Sequence, residues 1–204
     1  LVKMPRTDNR GVKVSSAETL KRLWHNNEYR SGVLAQMFYV AAQIMVWTFI
    51  IQYADNLGIN KATAQTYNIC AMGLALSFRF IGTYLMKYFA PSRMLMAFGI
   101  GASICTVGTI FLQNMAGLYC LVAISAFMSI MFPSIYGIAL DRVDERDTSL
   151  GAAFLVMAIV GGALMPPLQG AIIDMKTIAG MPAVNVSFAL PLVCFIVVTI
   201  YGIY

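Results

Sequence analysis

Six stretches of nearly unbroken apolar residues, at about 31–53, 63–86, 93–113, 117–140, 148–173 and 183–204, alternate with short polar segments along this chain. A helix crosses the roughly 30 Å hydrocarbon core of a bilayer in about 20 apolar residues, so each stretch is predicted to be a membrane-spanning helix. The runs are continuous. A membrane β-barrel would instead show alternating segments of about ten residues. The predicted fold is all-α and integral to the membrane, with a linker over residues 1–30 and a six-transmembrane-helix bundle over 31–204. Composition agrees, since 59% of the 204 residues are hydrophobic and 11% are charged, a balance that a soluble domain of this length does not carry.

The bases are distributed unevenly over the connections. Lys3, Arg6, Arg10, Lys13, Lys21, Arg22 and Arg30 precede the first span, Lys87 and Arg93 follow the second, and Arg142 and Arg146 follow the fourth. The opposite side holds Lys61 and Lys176. The positive-inside rule therefore predicts both chain ends in the cytoplasm. The net charge of +5 reflects this topology and does not point to nucleic acid as a partner. Cys70, Cys105, Cys120 and Cys194 all fall within spans without metal-site spacing and read as small packing residues. No cofactor or metal cluster is expected, and no nucleophile–base pair suggests an enzyme. His25 sits in the polar approach as a solvated or interfacial residue. Asn185-Val-Ser187 matches a glycosylation acceptor, but at the mouth of a span it is read as chance.

The segment "SSAETLKRLWHNNEYR" places Ser15 and Glu18 at capping-box spacing, then Leu20, Leu23 and Trp24 on one helical face beside Lys21 and Arg22. Two readings fit: an amphipathic helix lying on the cytoplasmic membrane surface, or a linker helix without a lipid role.

Polar residues within spans are costly in hydrocarbon and face either a cavity or a neighbouring helix. Gln36, Tyr39, Gln43 and Trp47 form one stripe of the first span. Asn68, Met72, Ala75 and Arg79 form a stripe of the second, and Ser125, Ser129, Phe132 and Tyr136 one of the fourth, where Pro133 is placed to bend the helix. Amides, hydroxyls and aromatic rings on converging stripes suit a small-molecule sugar, whose hydroxyls need paired donors and acceptors and whose C–H faces stack on rings. Close helix packing is the competing role for the serines and glutamines, and pairing to backbone carbonyls the competing role for Arg79. In the fifth span, "VGGALMPPLQG" combines Gly161 and Gly162, which permit close approach, with Pro166 and Pro167, which are expected to interrupt the helix. Such breaks serve either as moving parts or as static kinks.

The segments "VLAQMFYVAAQIMVWTFIIQYA", "RFIGTYLMKYFAPSRML", "SAFMSIMFPSIYGIAL" and "GAAFLVMAIVGGALMPPLQGAIID" resemble the C-terminal half of the L-fucose permease branch of the major facilitator superfamily, in order from about residue 31 to 175. The resemblance implies a twelve-helix transporter of the bacterial inner membrane, built of two six-helix halves. A sugar site would lie between the halves and protons would drive uptake. It implies that this chain lacks an N-terminal half and is a piece of a longer protein. It also implies that Arg79, in the "RFxGT" segment, faces the central cavity. The nine acids all fall in loops or at span ends, so the proton carrier is expected in the absent half. "KYFAPSRM" resembles a degenerate form of the superfamily's loop signature. Lys87 and Arg93 are therefore expected to pair with Asp141, Asp144 or their neighbours in "DRVDERD" as a gate, against the simpler reading of a solvated charge cluster. Asp147 is expected to cap the fifth helix. A non-transporting membrane sugar receptor or scaffold on the same bundle is the rival function.

Overall fold

The computed structural model describes residues 16–178 and 180–203, so Ser15 of the predicted capping box and the bases Lys3, Arg6, Arg10 and Lys13 lie outside the described residues. Helix α1 (Ser16–His25) leads into six helices long and apolar enough to cross a membrane. The first three spans are α2 (Asn27–Asn56), α3 (Lys61–Leu85) and α4 (Pro91–Phe111). The fourth is two pieces, α5 (Met115–Met128) and α6 (Met131–Asp141). The fifth is α7 (Thr148–Met157), a 3₁₀ turn (Ala158–Val160) and α8 (Gly161–Ile173). A two-stranded hairpin, β1 (Thr177–Ile178) and β2 (Met181–Pro182), leads into the last span, α9 (Ala183–Ser187) and α10 (Ala189–Ile203). The observed spans agree with the apolar runs to within a few residues.

Local chemistry explains where the helices start. Asn26, Asn60 and Asn114 each accept a hydrogen bond from a first-turn backbone N–H, from Glu28 and Tyr29, Ala62 and Ala116 respectively. An asparagine there satisfies donors that a helix start leaves without partners. Helix α4 instead begins with Pro91, whose fixed φ suits the first helical position. Helix α2 ends at Leu57 with Gly58 beyond it at φ +78°, a left-handed cap that glycine adopts without a Cβ penalty.

Helix α2 is the hub, packing on α3, α6, α8 and α10. Its buried residues Tyr39, Met45, Ile50 and Tyr53 run the length of the core beside Leu95, Leu121, Ile124 and Phe195. Two glycines permit the closest crossing: a Cβ on Gly161 would fall on the Met37 carbonyl oxygen and side chain, and one on Gly162 on Ile44. Pro166 and Pro167 lie inside α8, which continues through them. The expected interruption lies instead at Ala158–Val160, where the helix tightens just before the Gly161–Gly162 crossing.

The two outermost spans differ from the hub. In their most apolar windows only 17% of α3 and 28% of the fifth span are buried, against 56% of α2. Phe80, Tyr84, Met157 and Leu164 stand exposed along them.

At the end opposite α1, the single proton of the Tyr53 hydroxyl is shared between the carbonyls of Thr109 (3.1 Å) and Leu112 (2.7 Å). Asn185 Nδ2 donates to the Tyr53 hydroxyl (3.2 Å) and to the Thr109 carbonyl (3.0 Å). This network ties α2, α4 and α9 together. Gln169 Nε2 donates to Ser187 Oγ at 3.1 Å. Both ends of the Asn185-Val-Ser187 tripeptide are buried, so this match to a glycosylation acceptor is a packing feature.

Candidate functional site

A break in the fourth span builds the site. Pro133 has no N–H to donate to the carbonyl of Ser129, four residues earlier, and its ring crowds that carbonyl. The helix stops at Met128 and restarts at Met131. A broken span must satisfy its freed backbone within the protein. Here the Tyr39 hydroxyl of α2 donates to the Met128 carbonyl at 2.9 Å. The Tyr39 ring meets Phe132 edge-on, with centroids 6.2 Å apart. Ser129, in the gap, is buried, and its Oγ has no hydrogen-bond partner among the described residues.

Helix α3 closes the other wall with a gap of its own. It packs inward at Ala64, Asn68 and Ala71 and next at Gly82, where a Cβ would fall on Ile130. Between those contacts Met72, Ala75, Leu76 and Arg79 face a cavity of about 400 Å³. From α2 it receives Tyr39, Gln43 and Trp47, and from the break Met128, Ser129 and Phe132. This volume falls within the range of small-molecule sites. Trp47 is held by its indole N–H, which donates to Ser125 Oγ at 3.3 Å, so its ring is fixed as a wall of the cavity. The cavity therefore offers a guanidinium, an amide, a hydroxyl and three aromatic rings on the side where α3 is least covered. Among the described residues, no Asp or Glu lines it.

Five expected site residues meet there: Tyr39, Gln43, Trp47, Arg79 and Ser129. Three lie elsewhere. Gln36 is completely buried, its amide oxygen and nitrogen both without a protein partner. Asn68 is buried one turn ahead of Met72, the first residue of α3 to line the cavity. Tyr136 stacks on Phe132 at 6.4 Å and 11° and packs against a separate cluster of Leu23, Tyr29, Ala139 and Leu155. Phe132 lines the cavity and carries the stacking surface that Tyr136 was expected to share.

The charged end departs from the expected gate. Among the described residues the ion pairs are Arg22–Asp147 and Arg142–Glu28. Lys87, Arg93, Asp141 and Asp144 are exposed and belong to neither. Asp147 makes no capping bond to its own helix. Its Oδ2 accepts from Arg22 Nε at 2.9 Å, and its Oδ1 accepts from Arg22 Nη2 at 2.8 Å and from Thr19 Oγ1 at 3.0 Å. Those bonds, with the Arg22 charge, hold the Asp147 carboxyl below its ordinary range, although burial pushes it the other way. Helix α1 is thus pinned to the start of α7. No sequence signal marked this pairing, because the partners are 125 residues apart.

A family model described as the Major Facilitator Superfamily matches residues 3–166. An L-fucose-proton symporter of Haemophilus influenzae is 56% identical over 190 residues, covering 93% of this chain and 44% of that protein. A putative glucose/galactose transporter of Helicobacter pylori strain 26695 is 30% identical, covering all of this chain and 49% of that protein. A crystal structure of the E. coli fucose:proton symporter FucP, in a substituted form, superposes with a TM-score of 0.89 at 32% identity, covering 99% of this chain and 49% of that one. The chain spans about half the length of these relatives. With six packed spans, an inward-facing stripe on each wall of the cavity and a family model covering most of its length, the chain belongs to the Major Facilitator Superfamily.

Proposed function

We propose that this chain is the C-terminal half of a sugar:proton symporter that works by alternating access, both of its ends lying in the cytoplasm of a bacterial cell and its spans in the inner membrane. One observation carries the reading: Arg79, Gln43 and Ser129 converge with Trp47, Tyr39 and Phe132 on a cavity bounded by the least covered span. A monosaccharide needs that combination, since its hydroxyls require donors and acceptors and its C–H face requires a ring. The partner for the open side is an N-terminal six-helix half, against which this half would rock around the fixed site. A charged arginine in a membrane needs water or a counter-group. With no acid in the cavity of this half, the counter-charge and proton carrier belong to the partner half. L-Fucose is the first sugar to test, with glucose and galactose beside it, because the named relatives take these sugars. Lys87 and Arg93 together with Asp141 and Asp144 remain the proposed contacts of the cytoplasmic gate in the full transporter, where the two halves meet. Gly161 and Gly162 supply the close crossing at which α8 would move over α2, with Pro166 and Pro167 one turn further along α8 as the other proposed gating residues.

Labelled-sugar counterflow in vesicles holding the full-length protein tests this directly. Wild type exchanges sugar, whereas a receptor built on the same bundle binds it without exchange. Gln43→Ala and Trp47→Ala raise the sugar Kd by about 5- to 150-fold at normal expression, equivalent to roughly 1 to 3 kcal/mol. Arg79→Ala abolishes accumulation, and Arg79→Lys restores it poorly because lysine lacks the planar fork of donors. Normal accumulation by Arg79→Ala would remove Arg79 from the site.

A further inference from the structure

Where α1 folds back against the bundle, a second cavity of about 350 Å³ opens between α1, α2 and α7. Leu20 and Trp24 form one wall, Val33 and Leu34 another, and Phe154 the floor, with Arg30 among the lining residues. Three of these apolar side chains are far from covered: Trp24 is 66% exposed, Leu34 47% and Leu20 43%. The cavity is preformed, because α1 is held by the Arg22 and Thr19 bonds to Asp147 and by the burial of Leu23 against Tyr29, Ala139 and Leu155. Arg30 is exposed and belongs to no ion pair among the described residues, and Lys21 lies on the adjoining flank of α1, also exposed.

A neighbouring cavity between α2, α6 and α10 provides the contrast. It shares Leu34 and has its own arginine, but Arg142 is already neutralised by Glu28 Oε2 at 2.6 Å. Among the described residues, the α1 cavity thus combines an apolar slot with a base that belongs to no ion pair.

We infer that the α1–α2–α7 cavity is a binding site for an anionic phospholipid of the cytoplasmic leaflet, with one acyl chain in the slot and the headgroup phosphate on Arg30. Charge complementarity selects the occupant. An amphipathic peptide would fill the slot without needing Arg30, whereas an anionic phospholipid, whose phosphate is not offset by a cationic headgroup, uses both the slot and the base. Bases next to a membrane attract anionic headgroups, each strengthening binding by about fivefold. The inference rests on the proposed orientation, which puts this end of the bundle at the cytoplasmic face, and it does not depend on transport.

The test uses the full-length protein in nanodiscs of phosphatidylcholine, titrated with phosphatidylglycerol brominated on its acyl chains. Quenching of Trp24 is read as the difference from Trp24→Phe. Half-maximal quenching is expected at about fivefold less brominated phosphatidylglycerol than brominated phosphatidylcholine. Arg30→Gln removes that preference, and Arg30→Lys keeps most of it. Arg93→Gln, on the same side of the membrane but away from the cavity, leaves it intact. Equal quenching by the two lipids overturns the headgroup assignment. Equal loss of preference in Arg93→Gln reduces the effect to general surface charge and overturns the site. Absence of Trp24 quenching, with the protein folded, assigns the slot to a peptide segment and overturns the lipid. Sugar counterflow on the same samples separates this outcome from the transport reading, since the lipid preference persists in a variant that no longer moves sugar.

Discussion

At the end of the bundle away from α1, Tyr53, Asn185 and the carbonyls of Thr109 and Leu112 are joined by buried hydrogen bonds between uncharged groups. At the opposite end, α1, α2, α6 and α7 are joined by Arg22 to Asp147, Arg142 to Glu28, and Asn26 Nδ2 to the Arg142 carbonyl at 2.7 Å. Neutral bonds sealed from water respond to neither pH nor salt, whereas partly exposed ion pairs respond to both. One end of this half is therefore set by shape, and the other is open to adjustment from the aqueous phase.

The largest expected effect breaks the shape-determined end. A Cβ on Gly117 would fall on the Leu112 carbonyl oxygen and the Tyr53 hydroxyl, one of which is backbone and cannot swing away. Gly117→Ala is expected to cost about 3 kcal/mol, the upper range for overpacking, read as a lowered unfolding midpoint in detergent. Tyr53→Phe keeps the ring and removes one donor proton, shared between two carbonyls, and the oxygen that accepts from Asn185. Hydrogen bonds in membrane proteins are worth about 0.6 to 1.7 kcal/mol, so a loss of roughly 1 to 2 kcal/mol is expected, with no dependence on pH between 5 and 8.

The charged end should behave in the opposite way. Because the Asp147 carboxyl titrates below its ordinary value of about 3.9, its contribution to docking α1 is complete above that value and is lost as pH falls through the lowered one. A spin-label distance between α1 and α7 is expected to stay short from neutral pH down to about 4 and to lengthen below it. Asp147→Asn should lengthen it at neutral pH. A distance that is unchanged in Asp147→Asn would mean that Leu23 alone holds the helix. The smallest effect belongs to the exposed pair: Glu28→Gln is expected to change the unfolding midpoint by less than about 1 kcal/mol, and less still at high salt.

This contrast also explains what the sequence made legible. The spans could be read because hydrocarbon imposes one length and one composition on every crossing helix. The stripe through Gln43 and Trp47 was legible because helical periodicity is local, and so was the bend at Pro133. Periodicity, however, assigns a direction and not a depth. Asn68 and Arg79 share a face of α3, yet the helix is buried at the first and stands clear at the second. Gln36, one turn from Tyr39, shares its stripe and yet lies buried and outside the lining of the cavity. The polar clamps were not legible at all. Asn185 and Tyr53 are separated by 132 residues and Arg142 and Glu28 by 114, so nothing in either neighbourhood announces the other. Asp147, beside Thr148 and Ser149, looks locally like a helix cap, and only the return of α1 gives its carboxylate another partner.

The Pro133 break gives the fourth span the mechanics of a jointed lever. Helix α6 is a rod of 11 residues, roughly 16 Å long, attached to α5 through Ser129 and Ile130. A 5° swing about that joint carries the Asp141 tip through about 1.4 Å, enough to make or break a hydrogen bond. The Tyr39 hydroxyl, clasping the Met128 carbonyl beside the cavity, sits at the fulcrum. If the cavity takes a ligand as proposed, one that presses on Tyr39 or Phe132 would act close to that joint, where a small displacement would be amplified at the charged end.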